Sequence, residues 1–308
     1  MPPMVIRRTM DLAGLDVPVV EITGAFDGPR LTVIAGVHGC EYAPMAAVRR
    51  WTRELDPARL RGRVLAVPVL NLPAFWARSP FNVPEDGKNL NRCFPGDDGG
   101  TLAERLAHAA FTQLITGSDA LVDAHAGDLP EALEPFALYD AGPAESRARE
   151  LAVAYGLRYV IRQAPGPGQA VTGTASSAAA AIGVPAVIAE AGGCGLVQDA
   201  AVETHVRGLY RVLNLLGMAR GNAFWEDDRP PVFFGRFLWL RSANAGWWEA
   251  AVQAGSHVGA GQLLGTVNNI DGSEVQEEVR APADGTVLFL TTSPAVAGDG
   301  LLLGLGAR

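Results

Sequence analysis

The stretch Leu31-Thr-Val-Ile-Ala-Gly-Val-His38-Gly-Cys-Glu41 decides the fold. Its first half, 31–36, is a short apolar run rich in β-branched residues, the pattern of a strand buried on both faces. A glycine-flanked turn follows. From residue 41 to about 55 the apolar spacing becomes helical. Strand, turn and helix together form the repeating unit of a parallel sheet. Further units follow: strands over 17–22, 63–69, 119–124, 158–161 and 184–189, and helices over 101–116, 143–155, 174–182 and 198–217. Thr101 and Glu104 have the spacing of a capping box opening the first of these. The expected class is α/β, a mostly parallel, doubly wound sheet with helices on both faces.

Two stretches break this pattern. Residues 71–100 carry Pro73, Pro80, Pro84 and Pro95 among many turn residues and read as one long loop. Loops of that length inside a domain are usually functional or disordered. Beyond about residue 225 the chain shows short strand-like runs, many glycines and no convincing helix. We therefore expect a catalytic domain over 1–225 and a smaller all-β domain over 226–308. The runs Val258-Gly-Ala-Gly-Gln-Leu-Leu-Gly-Thr-Val and Val279-Arg-Ala-Pro-Ala-Asp-Gly-Thr-Val-Leu resemble the barrel-sandwich fold of lipoyl and biotinyl carriers. The only lysine in the chain is Lys88, so no carrier lysine exists there.

Charged residues are 19% of the chain and net charge is −8, with no basic tract. Nucleic acid and an anionic membrane are poor partners for such a surface. No run of about 18 apolar residues predicts a membrane span, and none near the N-terminus predicts a signal peptide. Cys40, Cys93 and Cys194 are odd in number and widely spaced, so a disulfide framework is not expected. The expected compartment is the cytoplasm. A homo-oligomer is compatible with the sequence.

In α/β sheets, ligands bind beyond the carboxyl ends of the strands. His38, His125 and Glu190 all fall there, on three separate predicted strands, and Glu41 lies three residues beyond His38. Two histidines and a glutamate suffice to hold one zinc ion with an open position. His38, Glu41 and His125 are the expected ligands. Glu190, at the end of an apolar run, is costly to bury unless it is paired or functional. It is the expected general base. Asp123 shares a strand face with His125, where it suits orienting that imidazole. In Asn89-Leu-Asn91-Arg92, Asn91 offers an amide and Arg92 a planar fork for a substrate carboxylate. The bland readings are a helix-capping His38 with a solvated Glu41, a satisfied core His125, and an ordinary surface Asn-Arg pair. His108, His205 and His257 stand in no motif and are assigned no role.

His38-Gly-Cys-Glu41, Asn89-Leu-Asn91-Arg92-Cys-Phe-Pro-Gly, Asp123-Ala-His125 and Glu190-Ala-Gly-Gly resemble the succinylglutamate desuccinylase/aspartoacylase family of the zinc carboxypeptidase clan. The stretch Pro84 to Arg92 followed by Gly100 to Arg105 resembles its bacterial predicted-deacylase branch, some members of which deacetylate diaminobutyrate derivatives. The resemblance implies zinc on His38, Glu41 and His125, a catalytic Glu190, and a substrate carboxylate on Asn91 and Arg92. Two positions depart from the family: Cys40 replaces an Asn or Asp, and Pro84 stands where aspartoacylases carry an arginine. That leaves Arg78 or Arg162 as candidates to stabilise an oxyanion. The expected activity is zinc-dependent hydrolysis of the amide of a small N-acyl amino acid or related amide, with one zinc per chain. A metallocarboxypeptidase acting on peptides and a non-catalytic binding protein are the alternatives. A capped pocket favours small substrates and an open groove favours peptides.

Overall fold

The computed structural model describes residues 2–164, 171–219 and 230–308. In chain order the elements are β1 (Met4–Leu12), β2 (Leu15–Thr23), β3 (Phe26–Ala35), α1 (Tyr42–Glu54), β4 (Arg61–Val67), α2 (Leu72–Ala77), α3 (Leu102–Ala110), β5 (Ala120–His125), β6 (Glu131–Leu133), β7 (Phe136–Asp140), α4 (Glu145–Tyr155), β8 (Tyr159–Gln163), α5 (Ala175–Ala181), β9 (Ala186–Glu190) and α6 (Asp199–Leu215). They continue with β10 (Val232–Phe234), β11 (Arg236–Arg241), β12 (Gly246–Ala250), β13 (His257–Val258), β14 (Leu263–Asn268), β15 (Val275–Arg280), β16 (Gly285–Thr291), β17 (Ala295–Val296) and β18 (Leu301–Ala307).

Among the described residues one sheet has nine strands, ordered β1-β2-β4-β3-β5-β9-β7-β8-β10. The sheet is mixed. Strands β4, β3, β5 and β9 run parallel to one another, as do β7, β8 and β10. The β1–β2, β2–β4 and β7–β9 pairs are antiparallel. Alternate residues of the central strands enter two different cores. Val33, Val122 and Val187 pack beneath α1, α4 and α6 with Trp51, Tyr155 and Leu209. Ile34, Leu121 and Ala186 pack beneath α3 and α5 with Leu106 and Ala179. Helices on both faces explain why these strands read as unbroken apolar runs.

The N-terminal strand β1 went unread because its side chains are mostly exposed, which leaves little apolar pattern. Strands β6 and β7 were likewise unread. The predicted loop 71–100 contains α2 and a 3-10 turn at Leu90–Arg92. Asn71 caps α2, accepting from the Ala74 N–H at 3.2 Å, so the helix starts on a proline-compatible first turn. The predicted helix over 101–116 ends as a helix at Ala110 and continues as a π-turn through Ile115.

The rest of the long loop is pinned to α3. Thr101 N–H donates to Glu104 Oε2 at 2.8 Å, completing the expected capping box. Glu104 also pairs with Lys88 at 2.8 Å. Asp86 accepts from the N–H of Ala103 at 2.8 Å and of Lys88 at 3.0 Å. The carboxylate therefore satisfies an orphan donor of α3 and closes its own turn.

Residues 232–308 are all β among those described, as expected. Their two antiparallel sheets, β11-β18-β16-β13 and β15-β14-β12-β17, enclose a core around Trp248, Leu264 and Leu303. The boundary expected at 225/226 lies outside the described residues. Strands cross it in both directions: β10 joins the large sheet beside β8, and β6 pairs with β16. A shared apolar cluster, including Phe136, Ile188, Phe237 and Phe289, joins the two parts.

His205, on α6, is fully buried. Tyr155 O–H lies 2.8 Å from its Nδ1, and its Nε2 reaches the Ala191 carbonyl at 3.1 Å. This geometry holds the Nε2–H tautomer and anchors the segment just after β9. Burial pushes its pKa down to about 4.

Two outcomes follow for stability. Asp86→Ala loses the contact to the α3 N-terminus and lowers unfolding free energy by about 1 kcal/mol, measured by urea titration. It also speeds hydrogen exchange at Ala103. For His205, the folded group stays neutral where the unfolded one binds a proton, so stability is full above the unfolded pKa and falls as pH drops from about 6.5 towards 4. Between those limits metal-free wild type loses on the order of 2–3 kcal/mol more than metal-free His205→Gln. Parallel pH curves for the two proteins would show that His205 is not held neutral.

Candidate metal centre and substrate cavity

Three neighbouring parallel strands, β3, β5 and β9, end at one edge of the sheet. Just beyond β3, Gly36 turns the chain with φ +66°, and a Cβ there would meet the Val69 Cα at 2.9 Å. The turn is held by Asn71, whose amide donates to the Val37 carbonyl at 3.0 Å. His38 follows, and Glu41 sits at the N-cap of α1. His125 is the last residue of β5, and Glu190, the last of β9, pairs with it in register. The glycines after Glu190 are required. A Cβ on Gly193 would meet the Glu131 carbonyl at 2.3 Å, where Cys194 N–H already donates at 2.8 Å.

His38, Glu41 and His125 are buried, and one donor atom from each lies within 4.8 Å of the others. Glu41 stands between the imidazoles, Oε1 at 2.6 Å from His38 Nδ1 and Oε2 at 2.9 Å from His125 Nδ1. Each far ring nitrogen faces an oxygen: His38 Nε2 lies 3.1 Å from Asn89 Oδ1, and His125 Nε2 lies 3.1 Å from Asp123 Oδ1. The latter is an ion-pair distance without hydrogen-bond alignment, and both Asp123 oxygens lack a hydrogen-bond partner.

Burial raises the Glu41 carboxyl, but His125 and His38 outweigh it and hold it well below the usual range. Burial disfavours charge on His125, yet Asp123 and Glu41 push its pKa well above the ordinary value. Burial lifts Glu190 well above the carboxylate range, with His125 opposing and Glu41 adding to the rise. Glu131 rises to about 8, again by burial, with further contributions from Glu41 and Asp128. So many carboxylates around two imidazoles leave the pocket short of positive charge. Two nitrogens and a carboxylate converging there, each imidazole backed by an oxygen, fit a zinc ion in donor type and orientation.

The four residues open onto a cavity of about 950 Å³. Asn91 and Arg92 line it, delivered by the long loop. Asn91 is less free than expected: its Oδ1 accepts from the Ala175 N–H at 3.1 Å, and its Nδ2 lies 3.4 Å from His125 Nε2. Arg92 donates to the Asn91 carbonyl at 2.7 Å. Neither expected oxyanion arginine lines the cavity. Arg78 is exposed at the end of α2. Arg162 is held at the surface by Glu145, at 2.6 and 3.0 Å. The second cavity arginine is Arg241 of β11, whose charge acts on Arg92. Sequence reading missed Arg241 because nothing local marks it. It also missed Asn89, although Asn89 stands in the motif that singled out Asn91.

The catalytic-domain model of the succinylglutamate desuccinylase/aspartoacylase family matches residues 27–216. The N-alpha-acetyl-L-2,4-diaminobutyric acid deacetylase of Halomonas elongata is 31% identical over 268 residues, 85% of this chain and 77% of that protein. The product-bound ectoine utilization protein EutE (DoeB) of Ruegeria pomeroyi superposes with a TM-score of 0.86 at 23% identity, covering 99% of this chain and 94% of that one. A succinylglutamate desuccinylase/aspartoacylase from Rhodobacter sphaeroides gives a TM-score of 0.83 at 23% identity, over 98% and 94%. These two structures speak for the mixed α/β fold. With the family model spanning more than half of its length, this chain belongs to the succinylglutamate desuccinylase/aspartoacylase family.

Proposed function

We propose that the chain is a zinc-dependent deacylase that hydrolyses the amide of a small N-acyl amino acid or a related amide. The observation that carries this reading is the meeting of His38, Glu41 and His125 within 4.8 Å, with Glu190 in register beside His125. The Halomonas elongata relative removes an acetyl group from the nitrogen of an amino acid, as its name states, and so supports amide cleavage.

His38, Glu41 and His125 would hold the metal. Zinc supplies Lewis acidity towards a carbonyl and towards water. Glu190 takes the proton of the attacking water and returns it to the departing nitrogen. Its place in register beside His125 suits that exchange. Asp123 and Asn89 keep the two imidazoles oriented. Arg92 binds the substrate carboxylate through its planar fork. Asn91 lines the same cavity, and its amide oxygen accepts from the first N–H of α5 at Ala175. Arg241 adds a second cation for the carboxylate or for the developing oxyanion.

Trp239, Arg241, Phe289 and Leu301 line the cavity from the C-terminal strands. Bulky side chains from those strands in the cavity that holds the candidate ligands support a small acylated substrate over a peptide. The free cysteines support a cytoplasmic setting. No helix among the described residues is long and apolar enough to cross a membrane. The division into a 1–225 catalytic unit and a 226–308 β unit belongs to the same proposal, as does the carboxypeptidase-like winding of the large sheet.

Two variants test the reading. Elemental analysis of the purified protein should give one zinc per chain, and His125→Ala should lose most of it. Full zinc in that variant would remove His125 from the ligand set. Glu190→Gln should keep zinc and melting temperature but lose about 10²–10⁴-fold in turnover of N-acyl amino acids. A rate within a few-fold of wild type would mean that another group is the base.

A further inference from the structure

The cavity lining is of two chemical kinds. The carboxylates Glu41, Glu131 and Glu190 act on one another at the candidate metal centre. An apolar wall of the same cavity is built of Leu133, Leu138, Ile188, Trp239, Phe289 and Leu301. It is the open side of the apolar cluster joining the large sheet to the C-terminal strands.

The bland reading of that wall is adhesion between the two parts. Buried members of the cluster already supply that: Phe136, Phe234, Phe237 and Phe289 are all 5% exposed or less. Leu133, Trp239 and Leu301 pack against the same cluster but stay partly open. They face the cavity that also contains His38 and Glu190. Trp239 is held in place, edge-on to Phe237 at 4.5 Å and to Phe289 at 5.9 Å. A fixed, half-open indole in a concave site is a preorganised apolar subsite.

We infer that the C-terminal strands build a substrate subsite centred on Trp239, which takes a bulky apolar group, aromatic or aliphatic, of the acylated amino acid. This rests on the deacylase reading above and narrows its substrate class. The bulky group belongs either to the acyl part or to the amino-acid side chain. Arg92 and Arg241 meet the carboxylate in both cases.

The experiment measures kcat/KM on zinc-loaded enzyme in two arms. One compares N-acetyl-, N-hexanoyl- and N-phenylacetyl-glycine, and the other compares the N-acetyl derivatives of alanine, leucine and phenylalanine. Nα-acetyl-2,4-diaminobutyrate is the polar control. In at least one arm the bulky members should exceed the smallest by tenfold or more, on the order of threefold per buried methylene. The arm that responds identifies the part carrying the group. Trp239→Ala should collapse that ratio mainly through KM, and Trp239→Phe should restore most of it. Flat series, preference for the diaminobutyrate derivative over every bulky substrate, or equal losses on all substrates in Trp239→Ala would overturn the subsite. Calorimetric binding of the same compounds to Glu190→Gln separates the two claims. Tighter, Trp239-dependent binding of bulky members without turnover in wild type would keep the subsite and sink the deacylase reading. No binding, or binding indifferent to Trp239, would sink the subsite.

Discussion

The structure turns on one buried carboxylate. Glu41 is buried between two imidazoles. A charge in such a place is costly unless it is compensated. Around it stand Asp123, with both oxygens lacking a hydrogen-bond partner, and Glu190, raised by burial. Removing one partner from such a cluster leaves the others uncompensated. A divalent cation at the meeting point would balance the cluster, and the imidazoles are already backed by oxygens that set their orientation.

The scaffold holds this cluster by ordinary means. Three adjacent parallel strands bring their ends to one edge, so His38, His125 and Glu190 converge without any long-range adjustment. Packing on both faces fixes the strands, and glycines allow the chain to turn tightly at Gly36 and Gly193. The long loop is steadied from a distance by the Asp86 contact to α3 and the Lys88–Glu104 pair. Lys88, the one lysine of the chain, thus helps position the segment that carries Asn89, Asn91 and Arg92.

The C-terminal strands are more than an appendage. They exchange strand pairings with the large sheet and line the cavity onto which His38, Glu41, His125 and Glu190 open. Arg241 and Trp239 come from one strand, β11, on residues of the same parity. One therefore adds charge near Arg92, and the other adds an apolar surface to the same cavity.

By itself the sequence determined the alternation of strands and helices, the all-β character of residues 232–308, and the placement of His38, Glu41, His125 and Glu190 near strand ends. These are local matters, set by apolar periodicity and by residues close in the chain. The capping box at Thr101 was legible for the same reason. Strand β1 was not, because its exposed side chains carry little apolar pattern. The tertiary structure alone decided which side chains meet. It placed Asn89 behind His38, bound Asn91 to Ala175, sent Arg162 to the surface and brought Arg241 into the cavity. Those pairings join positions tens to hundreds of residues apart. No local propensity encodes them; they follow from the packing of the loop, the sheet edge and the C-terminal strands around one another.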